Sequence, residues 1–216
     1  MIIDHMGAIM PEFFGLEFRV IGRVAFPIFV YLVAEGFRHT KSPVKFLARL
    51  GAFALISEPV FDLALGNSVN FVENTNIFYT LFLGGVAIVA YDRLRKAAIV
   101  PVLMLMWLAE FLSTDYGAYG VAFILLMYAI KPLKLRLAAM AVLCMWQHRT
   151  LIQFALQGIL FYADQPILLL LMIPATLVPV VLVAFYNGKR GVGFKWFFYA
   201  SYPVHLAILV IVASLT

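Results

Sequence analysis

The sequence predicts an all-α fold: a polytopic transmembrane helix bundle of about eight full spans plus a short N-terminal helix. Three observations carry it. The 216 residues are 64% hydrophobic and 12% charged, against about 45–50% apolar and about 25% charged residues in soluble domains, and their mean hydropathy is +0.99. The apolar residues lie in continuous runs, close to the roughly 20 residues a helix needs to cross a bilayer and unlike the alternating segments of about 10 that build a membrane barrel. Basic residues gather on every second connection. No polar segment is long enough to fold separately, so residues 1–216 form a single integral membrane domain.

The first segment, 1–16, is short. Met1 opens into Ile-Ile-Asp-His without the basic flank of a cleavable signal, and Asp4 and His5 interrupt its apolar core. Full spans are expected at 19–36, 46–65, 76–91, 97–113, 117–130, 137–160, 166–186 and 196–214, each an apolar run bounded by polar residues. The connections alternate in charge. Arg38, Lys41, Lys45 and Arg49 occupy one; Arg93, Arg95 and Lys96 the next basic one; then Lys131, Lys134 and Arg136; then Lys189, Arg190 and Lys195. The intervening connections lack Lys and Arg and carry Glu73, Asp115 and Asp164. By the positive-inside rule the basic connections face the cytoplasm and the C-terminus lies outside.

Thirteen of the 16 cations are thereby assigned to topology, so the net charge of +5 and the pI near 9.4 do not indicate nucleic acid as a partner. Arg19, Arg23 and Arg149 remain, at an outer end or mid-span. A charge at the bilayer centre costs at least about 2.5–3.5 kcal/mol on insertion scales, so each needs a partner or a watery cavity. The acids left in or beside spans are Asp4, Glu12, Glu17, Glu35, Glu58, Asp62 and Glu110, with His5, His148 and His205. Arg19 and Arg23 share a helix face, as do Glu58 and Asp62, and Pro59 removes a backbone hydrogen bond beside Glu58. The two pairs are expected at one depth, as an outward Arg/carboxylate cluster that relieves the repulsion between the acids; helix packing alone is the competing role.

His5 follows Asp4, and imidazole beside a carboxylate is a general-base arrangement, although neighbouring helical residues project about 100° apart. His205, in Tyr202-Pro203-Val204-His205, is the second candidate base, and His148 adjoins Arg149. No metal-ligand spacing, nucleophile elbow or phosphate-binding glycine loop occurs, so no metal is expected. Gly84-Gly85 and Gly117/Gly120 read as close helix approaches. Cys144, the lone cysteine, sits in an apolar run and reads as packing.

Specific polar positions recur in Ile3-Asp4-His5-Met6-Gly7, Arg19-Val20-Ile21-Gly22-Arg23-Val24-Ala25-Phe26-Pro27, Ala34-Glu35-Gly36-Phe37-Arg38-His39-Thr40, Ser57-Glu58-Pro59-Val60-Phe61-Asp62, Asn76-Ile77-Phe78-Tyr79-Thr80, Asp115-Tyr116-Gly117 and Tyr202-Pro203-Val204-His205. In order and over nearly the whole chain, this series resembles the TraX family. The family is associated with acetylation of the N-terminal amine of F-type conjugative pilin, and is distantly similar to the membrane acyltransferase-three superfamily. One departure stands out: three residues precede the Asp-His pair where family members carry a longer apolar lead, so the start is either shortened or the first helix naturally stunted.

The resemblance implies an enzyme of the bacterial cytoplasmic (inner) membrane. It would carry acetyl from cytoplasmic acetyl-CoA to an exported pilin or peptide amine, or to a similar extracytoplasmic acceptor. Arg38, His39 and Lys41, with Lys45 and Arg49, would meet the donor's phosphates. His5, oriented by Asp4 or another acid, would be the base, and Arg19 or Arg23 would stabilise the oxyanion. Glu35, Glu58, Asp62, Asn76, Asp115, Tyr116, His148, Arg149, Tyr202 and His205 complete the polar set, in substrate binding or structure. The rival readings are a proton-coupled transporter, for which the two halves show no inverted repeat, a glycan O-acetyltransferase, and a structural membrane subunit.

Overall fold

A computed structural model describes residues 1–158, 163–189 and 194–215; the side chain of Lys195 is outside the description. Arg190, Tyr162 and the 159–160 end of the expected span 137–160 also lie outside the described residues. Among those described there are eleven α-helices and no strands: α1 (Ile2–Ile9), α2 (Pro11–Gly22), α3 (Ala25–His39), α4 (Pro43–Ala64), α5 (Ile77–Leu94), α6 (Ile99–Phe111), α7 (Gly117–Ala129), α8 (Leu133–Gln147), α9 (Arg149–Leu156), α10 (Pro166–Ala184) and α11 (Lys195–Leu215).

The all-helical architecture is the expected one, but the count of eight spans is not. Three stretches are long and apolar enough to cross a membrane, Ile77–Phe111, Pro166–Ala184 and Trp196–Leu215, or four if α2 and α3, bent by 42°, form one broken span. The expected span 46–65 does form a helix of 22 residues, α4, but Lys45, Arg49, Glu58 and Asp62 all belong to it. Residues 117–130 and 137–160 yield α7 and α8, of 13 and 15 residues. At 1.5 Å per residue these reach only about 20 and 22 Å, short of a hydrocarbon core of about 30 Å. An apolar run in the sequence therefore overstates the helix, because caps, prolines and polar breaks divide it.

The stretch Ile77–Phe111 is itself a hairpin. A 3-10 turn over Arg95–Ala98 begins with Arg95 at φ 54, and α6 returns along α5, so that Leu83 and Ala87 cluster with Ala109 and with Val121 of α7. A straight helix would hold Leu83 and Ala109 about 39 Å apart. At the α5–α7 crossing a Cβ on Gly120 would overlap Thr80, so only glycine permits this approach.

The main core joins α3, α4, α5, α7, α8 and α11 through Val30, Ala34, Leu50, Phe78, Ile88, Phe123, Ile124, Met127, Met140 and Leu206. Cys144 is fully buried within it, in the packing role expected. Large apolar side chains also cover the outside: Trp107 is 66% and Val142 67% exposed. Such a surface is costly in water and natural in lipid; with the apolar helices it is that of a membrane protein. Polar side chains collect at two ends. The N-terminal ends of α3, α5 and α7 share one end with the C-terminal end of α4, while Arg38, Asp92 and Tyr128 mark the other.

Candidate functional site

The site begins with the return of α2 along α1. The α1 helix ends at Met10, and Pro11 starts α2, where its missing N–H costs nothing. Arg19 and Arg23, four residues apart, thus face Asp4. Arg19 Nη1 donates to Asp4 Oδ2 at 3.1 Å and Arg23 Nη2 to Oδ1 at 2.8 Å. Asp4 is 17% exposed at its side chain, and each carboxylate oxygen takes one guanidinium. Gly22 backs this group: a Cβ there would overlap the Asp4 side chain.

The expected pairing of these arginines with Glu58 and Asp62 does not occur, and Asp4 does not orient His5. The two acids instead organise the loop between α4 and α5. Glu58 Oε2 accepts from the Asn76 backbone N–H at 3.1 Å and from its side-chain amide, which also donates to the Ala54 carbonyl at 2.8 Å. Asn76 Oδ1 in turn caps α5, accepting from Phe78 N–H at 2.9 Å. Asp62 Oδ2 accepts from Asn70 N–H at 2.6 Å. Neutral amides thus meet one oxygen of each carboxylate, Glu58 Oε1 being buried without a hydrogen bond, and the cations find the acid on α1.

His5 points away from Asp4, towards α11, as the helical turn between adjacent residues requires. Its Nδ1 lies 2.7 Å from His205 Nε2, and His205 Nδ1 lies 2.6 Å from the Ser201 carbonyl. The rings stack at 12° with centroids 5.0 Å apart, and Tyr202 stands edge-on to both. A carbonyl only accepts, so His205 Nδ1 carries its proton. In neutral His205 the Nε2 is then bare and accepts from His5 Nδ1–H, leaving the lone pair of neutral His5 on Nε2.

His5 opens onto a cavity of about 600 Å³, also lined by Asp4, Arg19, Arg23, Glu110, Asp115, Tyr116, Tyr119, Trp146 and Arg149; His205 is outside that lining. The three cations that topology leaves unassigned, Arg19, Arg23 and Arg149, thus meet in one cavity. Arg149 arrives there through a helix break: His148 ends α8 and begins α9, and the guanidinium sits over the Trp146 ring at 5.2 Å. His148 stays half-buried beside it.

At the opposite end Glu35 gathers Arg38 at 3.2 Å, His39 at 3.4 Å and the buried Arg136. Arg38 Nη2 donates to the carbonyls of Met127, Tyr128 and Ile130 at the end of α7. Arg38 thus holds α3 to α7, while His39 and Lys41, grouped with it in the sequence, are exposed. Sequence reasoning counted Arg136 as a loop cation and passed over Gly22, Tyr119 and Trp146. The Gly22 signal was legible, a glycine inside Arg19-Val20-Ile21-Gly22-Arg23; nothing in the sequence brings Trp146 to α1. Among the described residues no three His, Cys, Asp or Glu side chains gather as a metal site needs.

Fold and site together define a multi-helix membrane protein with a charged cavity at one end of an apolar bundle. The chain belongs to the TraX family, whose pattern, described as TraX protein, matches residues 1–213. It is 29% identical over 209 residues to the probable fimbrial assembly protein FimC, serogroup H1, of Dichelobacter nodosus, covering 88% of this chain and 80% of that protein. No solved structure matches it significantly.

Proposed function

We propose that this protein is a membrane-embedded acetyltransferase that moves acetyl from cytoplasmic acetyl-CoA to the N-terminal amine of an exported pilin or similar peptide, at the outer face of the bacterial cytoplasmic membrane. The supporting observation is the relay from the Ser201 carbonyl through His205 to His5, which leaves a ring nitrogen with a free lone pair on the cavity-lining residue. His5 Nε2 takes a proton from the acceptor nitrogen as that nitrogen adds to the thioester carbonyl. The resulting oxyanion meets Arg19 and Arg23, whose group with Asp4 carries a net positive charge. Collapse breaks the C–S bond, and CoA leaves as thiolate and regains the proton. In this reading His39 and Lys41, exposed at the opposite end, meet the donor's phosphates, and the positive-inside pattern supports a cytoplasmic place for that end and an outer C-terminus.

His205 is a positioning residue in this scheme, and His5 the base. Purified wild-type protein given radiolabelled acetyl-CoA and a peptide with a free amine should label the peptide. His5→Ala should lose that transfer by at least about a hundredfold, the usual worth of a general base, while keeping its elution volume and melting temperature. Full turnover by His5→Ala removes His5 from this role. Proton-coupled uptake into proteoliposomes without any transfer favours a transporter instead.

A further inference from the structure

We propose that Asp115 is the anchor for the acceptor's ammonium group and makes the cavity selective for amines; this rests on the acetyltransferase reading and names its specificity residue. Three acids line the cavity. Asp4 is taken by Arg19 and Arg23. Glu110 Oε1 accepts the Ala118 backbone N–H at 2.7 Å, which ties that carboxylate to the start of α7. Asp115 is exposed, and among the described residues its carboxylate makes no hydrogen bond or ion pair. Its backbone is nevertheless fixed: its N–H donates to the Thr75 carbonyl at 3.0 Å, in a turn closed by the bond from Gly117 N–H to the Thr114 carbonyl at 2.9 Å. A held carboxylate with no hydrogen bond or ion pair of its own, in a cavity it shares with Tyr116, Tyr119 and Trp146, suits a small cation.

The anchored ammonium sheds one proton to become the attacking amine. After addition the second proton leaves through His5, and the expelled thiolate takes one up. Overall, ammonium plus thioester gives amide, thiol and one free proton. An alcohol acceptor can give Asp115 a hydrogen bond but no ion pair, which favours amine over glycan hydroxyl transfer at this one residue.

The probes are triglycine amide, whose only charge is its amino terminus, and its N-acetyl form, with binding measured by calorimetry on the full chain in lipid nanodiscs. Wild type should bind the free amine roughly tenfold more tightly, as a charge-assisted hydrogen bond allows; Asp115→Asn should erase that preference and Asp115→Glu keep part of it. If Asp115→Asn does not assemble, Asp115→Ser removes the charge in its place. Equal binding of both peptides by wild type, or an undiminished preference in the neutral variants, overturns the proposal. Binding is read without turnover, so the outcomes separate. An amine preference that depends on Asp115 in a protein transferring no acetyl sinks the enzyme reading and keeps the site; transfer with an unchanged KM for the amine in Asp115→Asn does the reverse.

Discussion

Asp4 is held from two sides, by guanidiniums in front and by the bare backbone of Gly22 behind. Gly22→Ala therefore pushes against Asp4 itself. Overpacking of this kind costs about 1–3 kcal/mol, so the variant should melt lower than wild type, with a further loss of transfer because Arg19 and Arg23 move with Asp4. A wild-type melting temperature in Gly22→Ala contradicts the packing. The sequence puts Asp4 and His5 side by side and invites a dyad between them. A helix turns about 100° per residue, and it sends the first to the arginines and the second to His205. Legible in the sequence was that these polar residues stand out within apolar helices; their partners, some 15 and 200 positions away, belong to the packing of helices.

Elements show the same division. Pairs on one helix, Arg19 with Arg23 and Glu58 with Asp62, are readable from four-residue spacing, and both do share a face. Contacts between helices are not, as Asn76 illustrates. One side chain caps α5, holds the buried Glu58 and reaches the Ala54 carbonyl of α4. Loss of a cap alone costs about 1 kcal/mol, and stripping partners from a buried carboxylate adds about 1–3 kcal/mol or more. Asn76→Leu should therefore destabilise the protein by roughly 2–4 kcal/mol, seen as earlier unfolding in a detergent thermal melt; Asn76→Asp, which keeps the cap but sets a second acid against Glu58, should rescue little. Arg38 plays the equivalent part at the other end, tying α3 to the last carbonyls of α7. Its role was hidden because a cation in a basic connection already satisfies topology.

For the whole molecule, composition alone identified an apolar helical bundle, and the exposed apolar belt agrees with it. The number of crossings was less legible, since hydropathy registers an apolar run whether it forms one long helix, a hairpin such as Ile77–Phe111, or a helix too short to span. The distribution of cations gave more. Those in the basic connections fit the expected orientation, and the three left over converge on one cavity. Single cysteines at Lys41 and Asp115, in a Cys144→Ser background, should react with a membrane-impermeant thiol reagent from opposite faces, Asp115 from outside; labelling of both from the same face contradicts the placement of the cavity. The most direct test of the account is vectorial. Proteoliposomes with labelled acetyl-CoA supplied at the Lys41 face and an amine peptide confined to the Asp115 face should yield acetylated peptide with wild type and none with His5→Ala. Wild type that leaves the peptide unlabelled, or His5→Ala that labels it at the wild-type rate, would contradict it.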